Sequence, residues 1–117
     1  MTHELMVVVT TTGTRAEAQR LAAEAVLRRL AACSQIDGPM ESYYVWQGIS
    51  RVDEEWRLTL KTTSQRGPAL LQWLRETHSY EQPQLVAIPV TLSDPGYARW
   101  VFEQTADRNA DNDVETR

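Results

Sequence analysis

Glu55-Trp56-Arg57-Leu58-Thr59-Leu60-Lys61-Thr62-Thr63 alternates without a break: Trp56, Leu58 and Leu60 fall on one side, Arg57, Thr59 and Lys61 on the other. A half-buried antiparallel strand has this period of two. Just upstream, Ser42-Tyr43-Tyr44-Val45-Trp46-Gln47 is rich in residues that favour strands, and Gly48 to Arg51 supplies a bend. Together these segments read as a hairpin at the centre of the chain, and the fold follows from what flanks it.

On the N-terminal side, Leu5 to Thr10 is a short β-branched apolar run, read as a buried strand closed by Thr11, Thr12 and Gly13. Thr14 and Glu17 have capping-box spacing. Ala18, Leu21, Ala22, Ala25, Val26 and Leu30 then recur on one helical face, predicting an amphipathic helix that ends near Ala32. Cys33 to Ile36 is extended, and Asp37-Gly38-Pro39 reads as a turn.

On the C-terminal side, Gly67-Pro68 opens a second helix, with Leu70, Leu71, Leu74 and His78 along its inner stripe. Leu85 to Thr91 is a fourth strand, and Pro89 confines it to a sheet edge or a bulge. Asp94-Pro95 caps a last short helix carrying Tyr97, Trp100 and Val101. The order is β-α-β-β-α-β plus a helix: an α+β, ferredoxin-like domain over 1–106, followed by a polar tail over 107–117 read as disordered.

That arrangement stacks two helices on one sheet face and leaves the other in need of cover. The chain has four Trp and four Tyr against one Phe. Such residues are enriched where subunits meet, so a second copy of the chain is the expected cover, and a closed ring also removes exposed sheet edges. The length of 117 residues suits one domain. A net charge of -4 speaks against nucleic acid or an anionic membrane as partner, and no apolar run is long enough to span a bilayer. The N-terminus lacks a signal-peptide pattern. The single cysteine, Cys33, excludes an intrachain disulfide and suits a reducing cytoplasm.

Several stretches in order resemble the CutA, or divalent-cation tolerance, family. They are Val7-Val8-Val9-Thr10, Arg29-Leu30-Ala31-Ala32-Cys33, Tyr43-Tyr44-Val45-Trp46-Gln47-Gly48, Leu60-Lys61-Thr62, His78-Ser79-Tyr80-Glu81-Gln82-Pro83-Gln84 and Ile88-Pro89-Val90. The resemblance implies a homotrimer close in architecture to the PII signalling proteins, and a link to copper and other divalent cations. Where some bacterial members bind copper through a cysteine and two adjacent histidines, the matching positions here are Thr10 and Thr77, and only His78 remains. Ser79 and Gln84 depart from the pattern as well.

The expected metal candidates are His78, Glu81 and Cys33. For Cys33 the plainer reading, a small buried hydrophobe, weighs more. For His78 a ligand and a structural hydrogen-bonding role weigh equally. His3 carries little weight. Trp46, Lys61, Tyr80 and Glu81 form a candidate cleft for a small ligand, against an interfacial Lys–Glu pair that fixes the trimer. Asp53, Glu54 and Glu55 read as solvated.

No phosphate loop, Ser-His-Asp set or clustered zinc ligands occur, so an enzyme is not expected, and no cofactor is needed for folding. The leading expectation is a trimeric cation-binding tolerance protein with copper-type sites at inter-subunit clefts. The alternatives are a structural or signalling scaffold and a PII-like sensor of a small anionic metabolite.

Overall fold

The computed structural model describes residues 4–107. His3 and all of the expected tail except Asp107 lie outside the described residues. The elements are β1 (Leu5–Thr12), α1 (Arg15–Leu27), β2 (Cys33–Trp46), β3 (Ile49–Thr63), α2 (Gly67–Thr77), β4 (Val86–Pro89) and α3 (Pro95–Gln104). One antiparallel sheet runs in the order β2-β3-β1-β4, the α+β arrangement expected.

The alternation quoted above sets the core. Leu58 and Leu60 of β3 and Val8 of β1 are fully buried and pack with Leu21 and Ala25 of α1 and Leu70, Trp73 and Leu74 of α2. On the opposite face a smaller cluster forms where Ala98 and Val101 of α3 meet Leu5 and Ala32. Along β4 that face is open, with Val86 and Ile88 exposed in line with Val9 and Val7. Pro89 ends an edge strand, as its missing N–H requires.

Three local expectations are corrected. Helix α1 stops at Leu27, because Arg29 adopts φ 60 and Leu30 N–H turns back to the Ala25 carbonyl at 2.9 Å. The Arg29 side chain is itself tied down, donating to the carbonyls of Glu103 and Ala106 at the end of α3.

Asp37-Gly38-Pro39 is not a turn but an irregularity within β2, which runs fourteen residues. The register shifts between Asp37 and Met40, so Met40 faces Glu55. Gly38 has φ 144, and a Cβ there would sit 3.1 Å from the Glu55 carbonyl, which leaves only glycine.

The bend falls at Gln47 (φ 50) and Gly48 (φ 78), a two-residue connection with positive φ at both positions, and β3 resumes at Ile49. β1 ends opposite Trp56, so residues 40–55 extend beyond it as a two-stranded arm.

Candidate functional site

The loop after α2 docks at the base of this arm, and His78 fixes it there. The His78 side chain is fully buried; its Nε2 lies 2.8 Å from the Thr11 carbonyl, and its Nδ1 accepts the Tyr80 N–H at 3.1 Å. That pairing sets the tautomer: Nε2 carries the proton and donates to Thr11. Glu17 holds the same loop from α1. Its two carboxylate oxygens accept the Ser79 N–H at 2.8 Å and the Ser79 hydroxyl at 2.7 Å. The capping box is therefore half made: the Thr14 hydroxyl accepts the Glu17 N–H, while the Glu17 side chain is diverted to the loop.

Tyr80 is thereby placed against Gly13, and its hydroxyl donates to Glu55 Oε2 at 2.9 Å. Burial, reinforced by the Glu55 carboxylate, raises the Tyr80 phenol well above its ordinary range, so it remains a donor. Tyr44 is raised chiefly by its hydrogen bond to Asp53.

Between loop and arm lies a cleft of about 660 Å³. Tyr43, Tyr44, Trp46 and Tyr80 line it, with Glu55, Glu81 and Arg51 as its charged groups. Glu55 is only 9% exposed, which corrects its reading as a solvated carboxylate. Its signal in the sequence was its phase: it alternates with Arg57 and Thr59, on the face away from the helices.

Of the expected cleft residues, Trp46, Tyr80 and Glu81 come together and Lys61 does not. Lys61 stands farther along the open sheet face, donating to Gln35 Oε1 at 2.7 Å. The expected metal residues are also dispersed. Cys33, partly buried, is in register with Lys61 and hence with Val7, whereas His78 is bonded at Thr11. Four residues of β1 separate those levels, roughly 13 Å at about 3.3 Å per residue. Among the described residues no three His, Cys, Asp or Glu side chains converge to hold a metal ion. Thr10 points into the core, its hydroxyl fully buried and without a hydrogen-bond partner.

The model of the CutA1 divalent ion tolerance protein matches residues 6–104. The chain belongs to the CutA1 divalent ion tolerance family. The divalent-cation tolerance protein CutA of Citrobacter koseri is 38% identical over 98 residues, spanning 84% of this chain and 85% of that protein. The structure of CutA from Synechococcus elongatus matches with a TM-score of 0.84 at 36% identity, covering 90% of this chain and 93% of that one. The periplasmic divalent cation tolerance protein CutA of Archaeoglobus fulgidus matches at 0.83 and 26% identity, covering 87% and 99%. No helix among the described residues of this CutA1 family member is long and apolar enough to cross a membrane.

Proposed function

We propose that the chain is a homotrimeric divalent-cation-binding tolerance protein, with PII-like architecture, whose cation is held at the cleft by groups from more than one subunit. The observation that carries this reading is the cleft itself: two carboxylates, Glu55 and Glu81, against one guanidinium, Arg51. That balance favours a cation and disfavours the anionic metabolite of a PII-like sensor. Among the described residues a single chain gathers too few ligands, so neighbouring subunits add the remainder.

The exposed arm supports assembly, because Tyr43, Val45, Ile49 and Val52 are each more than half exposed beside the cleft. Its oxygen donors suit a hard or borderline divalent ion better than a thiolate-seeking copper ion. His78 enters as the residue that positions the cleft wall, since both of its ring nitrogens are engaged. The role is one of binding rather than catalysis, in a reducing cytoplasm where Cys33 stays a thiol.

Calorimetric titration of Zn(II), Mn(II) and Cu(II) into the metal-free protein, beside Glu81→Ala, tests the reading. Micromolar binding per subunit that is lost in the variant supports it. Millimolar or absent binding for all three ions overturns it and leaves the scaffold reading, which the exposed arm also favours.

A further inference from the structure

Glu55 poses a problem that the cleft itself answers. Glu55 is buried, only 9% of the residue being exposed, and among the described residues its carboxylate accepts a hydrogen bond from the Tyr80 hydroxyl alone. Among the described residues no basic side chain lies within ion-pair distance of it. A carboxylate so placed is stabilised by any cation that reaches it, and the benefit is larger than at an exposed site.

The approach to Glu55 is lined by rings. In the arm, Ser42, Tyr44 and Trp46 pair with Asp53, Arg51 and Ile49, positions in phase with Glu55 on β3, so one face carries both the rings and the carboxylate. Tyr80 closes the far side. Aromatic rings attract cations that have shed their water, and they do so best with large, weakly hydrated ones. A small metal ion needs several oxygen or nitrogen ligands in place of its hydration shell, which the described residues of one protomer do not gather. An ammonium group carrying carbon substituents has no such requirement. The volume of about 660 Å³ is also far larger than a bare ion fills and falls in the range of small-molecule pockets.

We propose that this cleft binds a small organic ammonium ion, its charge against Glu55 and its carbon substituents against Tyr44, Trp46 and Tyr80. The proposal goes beyond the divalent-cation reading, because every group it uses comes from one protomer and it requires no metal. Arg51 sits in the same cleft as the one opposing charge among its described lining residues, and it limits affinity.

The test uses the intact protein in its native assembly, titrated with tetramethylammonium chloride and, in parallel, with neopentyl alcohol, an uncharged molecule of similar size built on the same four-carbon-substituted centre. Chemical-shift changes of the indole and phenol ring protons give the affinity. Tetramethylammonium is expected to bind and the alcohol to bind at least about tenfold more weakly. Glu55→Gln, which keeps the acceptor for Tyr80, is expected to lower ammonium affinity about tenfold. Tyr44→Leu, on the exposed arm, lowers it as well, and Arg51→Ala raises it a few-fold. Equal binding of the two probes would show a merely apolar cleft and overturn the proposal. So would unchanged affinity in Glu55→Gln, or no binding because a neighbouring subunit fills the cleft. Zinc, manganese and copper titrated separately keep the two readings apart: binding of any of them without ammonium binding defeats this proposal alone, and ammonium binding with none of the three defeats the divalent-cation reading alone.

Discussion

Along β3, Leu58, Leu60 and Thr62 lie fully buried beneath α1 and α2, whereas Ile49 and Val52 on the same strand stand 58% and 56% exposed. The chemistry of the two halves is similar; what differs is the neighbour. The body half has β1 beside it and helices above it, while the arm half has only β2. Two-stranded ribbons are marginal in water, so in the proposed assembly an arm of this length carrying apolar and aromatic residues draws stability from a neighbouring subunit. The body thus accounts for the fold, and the arm for what the fold meets.

The contrast can be broken most forcefully in the body. Leu60→Ala leaves a cavity in the main core and is expected to cost about 2–5 kcal/mol in urea denaturation. A loss within experimental error would mean that the helix-covered face is not where stability resides.

In the arm, Trp46→Ala is expected to weaken self-association by about 2 kcal/mol, or about thirtyfold, in sedimentation at low concentration. Unchanged assembly there would sever the arm from the proposed subunit interface.

Glu17→Ala tests the joint between the two regions. Removal of a carboxylate that accepts two hydrogen bonds is expected to cost about 1–2 kcal/mol. Faster hydrogen exchange at Ser79 and Tyr80, with the core amides still protected, would localise the loss to the loop. Uniform exchange changes would instead make Glu17 part of the body.

The smallest effect concerns Asp37 and Arg57, which pair at 2.7 Å on the open sheet face. The Arg57 hydrogen bond lowers the Asp37 pKa below its ordinary 3.8. A lowered carboxylate pKa stabilises the fold above the unfolded value, and the contribution disappears as pH falls through the folded one. Asp37→Asn should therefore flatten the acid limb of the stability–pH curve below about pH 4 and change little at neutrality. An equal shift at all pH values would point to lost packing rather than lost charge.

The elements that were legible in the sequence are those whose cause is local. Alternation gave β3, Pro68 and Asp94 marked the starts of α2 and α3, and Pro89 forecast an edge. The errors arise where distant residues decide. Arg29 ends α1 in a conformation usually left to glycine because α3 holds its guanidinium, and no residue near it announces a stop. Asp37-Gly38-Pro39 has the composition of a turn, yet pairing with β3 carries the strand through it. Capping-box spacing correctly located the start of α1 but gave no hint that Glu17 would serve the loop after α2.

For the site, Trp46, Tyr80 and Glu81 could be found from their motifs. Glu55 was hidden among neighbouring acids, because its burial depends on Tyr80 folding over it from a loop twenty-five residues away in sequence. Lys61 belongs to a recognisable motif too, but the register carries it along the sheet and away from the cleft.

The connection at Gln47 and Gly48 fixes more than a bend. Side chains along a strand alternate, so the length of that tip decides which of two adjacent tyrosines, Tyr43 or Tyr44, shares a face with Glu55. One residue inserted there would let β2 slip by a single place from the tip back to the irregularity at Gly38, which would absorb the difference. The helices, the core and the Glu17–Ser79 joint would be unaffected, yet the arm would turn Val45 onto the face shared with Glu55 and turn Trp46 away. The arm is in effect a reversible cassette: a change in its length by one residue would swap the face shared with Glu55 for its back, while the protein beneath stayed the same.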